Sequence, residues 1–323
     1  MRRRDFLAGI GAASAWAPMA RGQTSQQHKL LTIGVIGGGD QENYQAFLEG
    51  LREFGYVSGQ TVALEARFHG AGAERTEEFA RELVSLQCNV IFASTPPAVH
   101  AVMSVTRVIP TIGIDLEDDP VANGWARSIA RPGGNLTGIF PGLPELGGKQ
   151  IELLKEAMPR LADVAVLWDA SLGASQFRAT ETAIQASGVK PVSLPVREAK
   201  DLAAAVEHAL QAHVQGLIVL TSPMIFLQRE LIVDMALKGR LPMISGFTSF
   251  PRAGALMAYG ADLPSMFKRA ASFADRILRG AKAAELPIER PSKFELVINL
   301  KTAKVLGLEI PWQLQQLADE IIE

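Results

Sequence analysis

A long internal repeat constrains the fold of this 323-residue chain more than any other feature of its sequence. Each strand-like apolar run of the first half has a counterpart roughly 120 to 130 residues later, a period far longer than that of solenoid repeats. The flanking residues match as well. Asn89–Ala93 is followed by Ser94-Thr95-Pro96, and Gly216–Leu220 is followed by Thr221-Ser222-Pro223. The sequence therefore predicts one domain architecture that is used twice.

The order of the apolar runs predicts the architecture of both copies. Strand-like runs alternate with helical patterns, which is typical of βαβ units in a parallel sheet. Right-handed crossovers then place helices on both faces of each sheet. The expected fold class is α/β, with two doubly wound, Rossmann-like parallel-sheet lobes and a ligand cleft between them. The predicted strands are Thr32–Ile36, Val62–Phe68, Asn89–Ala93 and Thr111–Ile114 in the first copy, and Val164–Leu167, Pro191–Val196 and Gly216–Leu220 in the second.

The N-terminus has the features of a twin-arginine signal peptide. Arg3-Arg4-Asp5-Phe6-Leu7 matches the twin-arginine pattern, the weakly apolar run Ala8–Ala17 follows, and Ala20-Arg21-Gly22 offers small residues to a signal peptidase. The apolar run is shorter than the roughly 20 residues of a membrane span. We therefore expect residues 1–22 to be removed and the mature protein to be a soluble protein of the periplasm.

Composition and motifs argue against several classes of function. Lys and Arg number 32 against 34 Asp and Glu, without a basic run, so no nucleic-acid partner is expected. Cys88 is the sole cysteine, which rules out an internal disulfide and a lipid-bearing cysteine after the signal. The five histidines lack metal-ligand spacing, and the chain carries no G-x-G-x-x-G, P-loop or G-x-S-x-G motif. We expect no metal, no cofactor and no catalytic residues.

The carboxyl ends of the predicted strands mark the candidate ligand site. In open parallel sheets ligands bind beyond these ends, and two facing lobes would bring two sets of such loops together at a cleft. The predicted ligand-binding residues lie on these loops and are Gly38, Asp40, Ser94, Thr95, Asp115, Asp119, Trp168, Asp169, Ser222, Phe247, Thr248 and Tyr259.

Several of these residues have a structural alternative to ligand contact. Ser94 and Thr95 stand where a strand ends and a helix begins, so they either receive a ligand carboxylate with their hydroxyls and backbone N–H groups or cap the helix. Trp168 ends an apolar strand and either packs in the core or stacks on the ligand. Phe247 is favoured as an apolar cover of the ligand. Tyr259 begins the return crossover and is expected to mark the hinge.

An acidic cluster follows the fourth predicted strand. Asp115 is favoured over Glu117 as a ligand contact, and it is a candidate partner for a ligand ammonium group, as is Asp169 in the second copy. The rest of the cluster, Asp118 and Asp119, alternatively forms a solvated loop or the cap of a helix that starts directly after it.

Three sequence blocks relate the chain to a known family. With Arg131–Gly138, Gly254–Gly260 and Lys293–Lys304, the chain resembles the tryptophan/phenylalanine-type ABC transporter substrate-binding family over nearly its whole length. The resemblance implies a periplasmic binding protein type 1 fold. The chain departs from the family at Gly37-Gly38-Gly39-Asp40, often a Ser-Gly-Ser-type loop, and at Trp168-Asp169, often a small or polar pair. Both departures lie at the inferred cleft, so the resemblance transfers the fold and not the ligand.

The repeat and the resemblance together favour an exported solute-binding protein. It is expected to capture a small molecule, with an amino acid or related carboxylate as the first expectation, and to deliver it as a monomer to an ABC permease in the inner membrane. Two alternatives stay open, a sensing protein that presents its closed form to a membrane receptor and an α/β enzyme. The expected lobes are residues 29–138 with 261–292, and residues 139–260 with 293–323.

Overall fold

The computed structural model describes residues 30–70, 75–140, 146–172, 174–291 and 294–323. The predicted signal peptide, residues 1–22, lies outside the described residues. Among the helices of these ranges, none combines the length and the apolar character that a membrane crossing needs.

In chain order, strands β1 to β12 are Leu31–Gly37, Val62–Phe68, Val90–Ala93, Thr111–Ile114, Leu136–Ile139, Asp163–Asp169, Lys190–Val196, Gly216–Val219, Met243–Ser245, Met257–Ala261, Phe294–Asn299 and Glu320–Ile322. Helices α1 to α11 are Gln41–Glu53, Thr76–Ser85, Pro96–Val105, Leu146–Ala157, Ser175–Ala186, Leu202–Gln211, Pro223–Leu227, Arg229–Lys238, Leu263–Leu278, Leu300–Leu306 and Trp312–Leu317.

The first sheet has five parallel strands in the order β2-β1-β3-β4-β5. The chain runs from β1 to β2 on one side and then to β3 on the other, so the switch point of the sheet lies between β1 and β3. Helices α1 and α9 cover one face around the buried Phe47, Phe92 and Phe273. Helices α2 and α3 cover the other face around Leu83 and Val102. We call this unit lobe 1.

The second sheet has seven strands in the order β12-β11-β10-β9-β8-β6-β7. Only β10 and β11 pair in antiparallel fashion within the described chain. Helices α4 and α5 cover one face around Leu154 and Ile184, and α6 and α8 cover the other around Leu202 and Ile232. The switch point lies between β6 and β8, as between β1 and β3 in the first sheet. We call this unit lobe 2, and the two lobes confirm the predicted α/β fold class.

The internal repeat is visible in the local geometry of two helix starts. Thr95 precedes α3 with φ −149° and ψ 156°, and Ser222 precedes α7 with φ −162° and ψ 151°. Each hydroxyl accepts a hydrogen bond from the backbone N–H three residues on, and each is followed by proline. Both residues are therefore helix caps with the proline in the first helical position, where its missing N–H costs nothing.

The chain passes between the two sheets three times, after β5, after β10 and before β11. A glycine lies at each of the first two passages because another backbone comes very close. A Cβ on Gly138 would lie 2.0 Å from the carbonyl oxygen of Gly113, and one on Gly260 would lie 1.8 Å from that of Gly246. Neither position has room for a side chain. The residue limits of the two lobes stay a prediction.

One predicted helix is absent from the described chain. The segment directly after the acidic cluster forms a turn over residues 120–124. The side chain of Asp119 stabilises this turn, because its Oδ1 accepts hydrogen bonds from the N–H groups of Val121 at 2.7 Å and Ala122 at 3.2 Å. This local bonding satisfies the backbone without a helix.

Candidate ligand-binding site between the lobes

A cavity lies between the two lobes, beyond the carboxyl ends of the strands of both sheets. Its polar wall side chains are Asp40, Asn43, Ser94, Thr95, Glu117 and Ser222. Its apolar wall side chains are Val35, Tyr44, Phe68, Pro96, Ile114, Leu116, Pro223, Phe226, Leu227, Phe247, Leu263 and Phe267. An apolar wall with a few polar groups is the usual composition of a site for a small organic molecule.

The hydroxyls of Thr95 and Ser222 face each other's lobe at the starts of α3 and α7. The N–H of Ala98 donates to Thr95 Oγ1 at 3.4 Å, and the N–H of Ile225 donates to Ser222 Oγ at 3.1 Å. His69 Nε2 lies 3.1 Å from Thr95 Oγ1. The two caps thus bring one hydroxyl from each lobe to the cavity wall.

The start of α3 corrects one expectation about backbone groups. Pro96 and Pro97 have no N–H, and the N–H of Ala98 is already bonded to Thr95. The first turn of α3 therefore cannot offer a row of N–H donors to a ligand carboxylate. Any carboxylate held here depends on the hydroxyls of Ser94 and Thr95 and on the helix dipole.

Asp169 lies behind Ser222 and does not line the cavity. Its Oδ2 accepts a hydrogen bond from Ser222 Oγ at 2.9 Å, and its Oδ1 accepts from the N–H and the hydroxyl of Ser171. The carboxylate is buried and engaged by three donors. It orients Ser222, which corrects its assignment as a direct partner of a ligand ammonium group.

Asp115 also lies behind the wall and is fully buried. Its Oδ1 accepts from the N–H groups of Glu117 at 2.9 Å and Asp118 at 3.0 Å, while its Oδ2 has no hydrogen-bond partner among the described residues. Burial, with the neighbouring charge of Asp118, raises the pKa of Asp115 to about 7. Asp115 shapes the loop after β4, and the acidic residue that this loop presents to the cavity is Glu117.

Glu117 connects the two lobes across the cavity wall. Its Oε1 accepts a hydrogen bond from Thr221 Oγ1 of lobe 2 at 2.8 Å, and Thr221 in turn accepts from Gln176 Nε2 at 2.8 Å. Burial raises the pKa of Glu117 to about 8, against the opposing effect of the Thr221 hydrogen bond. At pH 7 this raised pKa favours the protonated, neutral form of the carboxyl group.

A second polar contact joins the lobes at Asp40. The Oδ1 of Asp40 caps α1 by accepting from the N–H of Asn43 at 2.9 Å, and its Oδ2 lies 3.9 Å from Arg229 Nη1 of lobe 2. The Arg229 guanidinium also lies 4.9 Å from the ring centre of Phe226. The described lobes are thus in touch at two polar contacts beside the cavity, this ion pair and the hydrogen bond of Glu117 with Thr221.

Aromatic rings form much of the apolar wall. Phe226 and Phe247 of lobe 2 meet edge to face with ring centres 4.9 Å apart, and Tyr44 and Phe68 of lobe 1 do so at 5.2 Å. Flat rings from both lobes can enclose a planar or branched apolar group between them.

The structure brings together six of the residues expected from the sequence. Gly38, Asp40, Ser94, Thr95, Ser222 and Phe247 line the cavity.

Four other expected residues lie away from the cavity. Trp168 stacks on Phe177 at 4.7 Å, and its indole N–H donates to Ser193 Oγ at 2.9 Å, so it packs beside the lobe 2 core. Tyr259 stacks on a neighbouring strand, Thr248 lines a smaller adjoining pocket, and Asp119 caps a surface turn. The side chains of Trp168, Tyr259 and Asp119 are thus engaged in local contacts outside the cavity.

Several wall residues were not expected from the sequence. Glu117 was ranked below Asp115, and only the direction of the loop decides between them. Tyr44 lies on the first turn of α1, where a position close to the expected loop Gly37–Asp40 was an available signal. Leu263 and Phe267 come from α9, whose return to lobe 1 was expected, but no local pattern shows which of its side chains reach the cavity.

The described residues hold no group of three or more His, Cys, Asp or Glu side chains arranged for a metal ion.

Comparison with known proteins points to one family. A family model described as ABC transporter substrate binding protein matches residues 32–322. The tyrosine-binding protein of Clostridioides difficile strain R20291 is 24% identical over 267 residues, which make up 82% of this chain and 76% of that protein.

Two solved structures share the architecture. A conserved domain protein from Vibrio cholerae superimposes with a TM-score of 0.84 at 22% identity, over 91% of this chain and 100% of that chain. An ABC domain from Streptococcus pneumoniae, solved in complex with L-Trp, superimposes with a TM-score of 0.83 at 22% identity and the same coverage. These likenesses show a common fold.

Proposed function

Because the chain belongs to the ABC transporter substrate-binding protein family, we propose that it captures an aromatic or aliphatic amino acid, or a related carboxylate, between its two lobes and delivers it to an ABC importer. The fold is that of periplasmic binding proteins of type 1. The observation that carries the proposal is the cavity, which has polar groups from both lobes around a largely apolar wall.

The polar groups suit a small zwitterion. The hydroxyls of Ser94 and Thr95 lie at the start of the ten-residue helix α3, where the dipole favours an anion. Ser222 adds a hydroxyl from lobe 2, held in place by Asp169. A ligand carboxylate bound here would contact both lobes at once and so favour the closed arrangement.

The apolar wall suits the side chain of such a ligand. Phe226 and Phe247 from lobe 2 face Phe68 and Tyr44 from lobe 1. The relatives support this ligand class, since one is a tyrosine-binding protein and another structure contains L-Trp.

Export and delivery complete the proposal. The Arg3-Arg4 pair and the small residues before residue 23 support twin-arginine export to the periplasm, where we propose that the mature protein is soluble and monomeric. The partner of the closed form is then an inner-membrane ABC permease. Replacing Arg3 and Arg4 by Lys should leave the protein in the cytoplasm, and unchanged export would overturn this route.

Mass spectrometry of the solute that co-purifies with the mature protein, followed by calorimetric titration, tests the ligand class. We expect an amino acid with an apolar side chain, bound at one site per chain. An uncharged sugar or a metal complex as the bound solute would overturn the proposal.

Truncation of one residue of the cavity wall tests whether the ligand binds in this cavity. Phe247→Ala removes a buried aromatic face and should weaken binding by about 1 to 3 kcal/mol. Phe54→Ala is the matched control, because Phe54 lies exposed at the end of α1 and away from the cavity. Equal affinities of the two variants would contradict the assignment of the cavity.

A further inference from the structure

The acidic side chains around the cavity differ in the hydrogen bonds and ion pairs that they make within the protein. The carboxylate of Asp40 accepts from the N–H of Asn43 and faces the guanidinium of Arg229. The carboxylate of Asp169 accepts three hydrogen bonds, among them that of Ser222. Both groups are thus satisfied by the protein itself and have little left to offer a ligand.

Glu117 is held differently. It lines the cavity, and its side chain makes a single hydrogen bond within the described chain, from the neutral hydroxyl of Thr221. No Lys, Arg or His of the described residues forms an ion pair with it. Asp115, two residues earlier, faces away and holds the loop. Of the two acids that line the cavity, Asp40 has Arg229 as a cationic partner, whereas Glu117 has none among the residues that the structure describes.

A carboxylate in such a place must either take up a proton or find a positive charge. We infer that Glu117 is the residue that selects for a positively charged nitrogen on the ligand, and that Thr221 holds its carboxylate in place from the other lobe. This inference rests on the proposed capture of an amino acid and names the residue that separates amino acids from simple carboxylates.

The hydrogen bond between Thr221 and Glu117 connects ligand recognition with closure of the two lobes. Gln176 donates to Thr221, Thr221 donates to Glu117, and the first two residues belong to lobe 2. The Thr221 bond exists only when the lobes are together. A cation that pairs with Glu117 is therefore bound most strongly in the closed form, where water is excluded and the Thr221 bond is made.

Binding of a cation should release a proton. Burial and the charges of Asp115, Asp118 and Asp169 raise the pKa of Glu117 to about 8, so the protonated form of its carboxyl group is favoured at pH 7. When a ligand ammonium takes its place beside the group, the O–H bond breaks, the proton passes to the solvent, and the carboxylate pairs with the ammonium.

The other charged groups nearby already have partners. Asp118 is bound to His100 at 2.9 Å, Asp40 faces Arg229, and His69 contacts Thr95. Asp115 also has a raised pKa, but it lies behind the cavity wall and accepts hydrogen bonds from the N–H groups of Glu117 and Asp118. Glu117 lines the cavity itself, so it is the group whose proton we expect ligand binding to displace.

The test is calorimetry of the mature protein with amino acids and their deaminated counterparts. Suitable pairs are L-phenylalanine with 3-phenylpropanoate and L-leucine with 4-methylpentanoate, each titrated at pH 7 in two buffers of different ionisation enthalpy. Wild type should prefer the amino acid and release close to one proton per ligand. Its affinity for the amino acid should fall about tenfold for each pH unit below 8.

The Glu117→Gln variant should lose both properties. It keeps an oxygen for Thr221, so closure is preserved, but it carries no charge. We expect amino-acid affinity to fall about 10- to 100-fold, the affinity for the deaminated compound to stay within about threefold, and proton release to disappear. Glu156→Gln, an exposed acid of α4, is the matched control and should behave as wild type. Thr221→Val should weaken binding while proton release remains.

The outcomes separate the inference from the proposed function. Amino-acid binding by wild type without proton release, or with unchanged preference in Glu117→Gln, would overturn the role of Glu117 and leave the proposed function standing. Tighter binding of the deaminated compounds would do the same. Binding of none of the probes would overturn the proposed function and this inference with it. The proton measurement on wild type needs no variant, so it decides the matter even where Glu117→Gln folds poorly.

Discussion

At the scale of single residues, Asp115 and Glu117 show how one loop separates two acids. They are two positions apart, yet the first bonds the backbone of the loop and the second lines the cavity. Asp115 fixes the direction of Glu117 through the N–H of Glu117 itself. Thus the fully buried Asp115 determines where the side chain of Glu117 points.

Asp115→Ala should destabilise the protein far more than Asp115→Asn. The alanine variant leaves two backbone N–H groups without their acceptor, which should lower the free energy of unfolding by about 1 to 3 kcal/mol. The asparagine variant keeps a carbonyl oxygen there and should remain close to wild type. Urea unfolding at pH 7, followed by circular dichroism, measures both. An equal loss in both variants would show that charge and not the acceptor matters.

Glu117 should make the ligand-free protein less stable as the pH rises. Its pKa is about 8 in the folded protein and 4.5 in an ordinary exposed glutamate, so between these values the folded state binds the extra proton. The stability that the protonated Glu117 contributes is fully present below pH 4.5 and is lost as the pH rises through 8. The Glu117→Gln variant should have the same free energy of unfolding as wild type near pH 4.5 and exceed it by about 1 to 3 kcal/mol at pH 8. The difference stays this small because opening of the lobes relieves part of the cost of burying the charged carboxylate.

Thermal unfolding of wild type and Glu117→Gln across this pH range measures the difference. A constant difference in melting temperature, independent of pH, would contradict the raised pKa of Glu117.

At the scale of helices and strands, the sequence was most informative where a local pattern sets the element. Strands β2 and β4 have the bounds that their apolar runs predict. The residues that flank the matching strands of the repeat include Thr95 and Ser222, and in the structure both cap the helix that follows. These features depend on side-chain alternation and on capping chemistry, both of which are visible in a few consecutive residues.

The candidate site was less predictable, because it depends on how elements meet. The direction of Glu117 follows from hydrogen bonds inside its loop, and the place of Phe267 follows from the return of α9 to lobe 1. The sequence left core packing and ligand stacking open for Trp168, and in the structure it stacks on Phe177 of α5 beside the core. No pattern of neighbouring residues contains these contacts.

The two caps should contribute differently to stability and to binding. Thr95→Ala and Ser222→Ala each remove a cap and should cost about 1 kcal/mol of the free energy of unfolding. Both should also weaken ligand binding, since both hydroxyls line the cavity. Thr302→Ala, at a buried hydroxyl outside the cavity that donates to the carbonyl of Gly254 at 2.9 Å, is the comparison for lost stability alone. Unchanged binding in both cap variants would remove the hydroxyls from the site.

At the scale of the whole molecule, two contacts connect the lobes beside the cavity. One is the hydrogen bond between Thr221 and Glu117, and the other is the ion pair of Asp40 with Arg229. A ligand that touches both lobes adds to these contacts only in the closed form and so shifts the population towards it.

Arg229→Met should favour the open form without filling the cavity differently, because the thioether keeps an apolar side chain beside Phe226. The ion pair is long, at 3.9 Å, and partly exposed, so affinity should fall only about two- to fivefold at low salt. The difference from wild type should shrink in high salt, where exposed charges are screened. Titrations at two ionic strengths measure it, with Arg178→Met, an exposed arginine of α5, as the control. A loss that does not depend on salt would contradict an electrostatic role for Arg229.

A crystal structure of the mature protein with its co-purified solute tests capture between the lobes most directly. We expect one molecule in the cavity, with its carboxylate at Thr95 and Ser222, its positive nitrogen at Glu117 and its apolar part against Phe247. Density for the solute on the outer surface of a single lobe, or in contact with one lobe only, would contradict capture between the lobes.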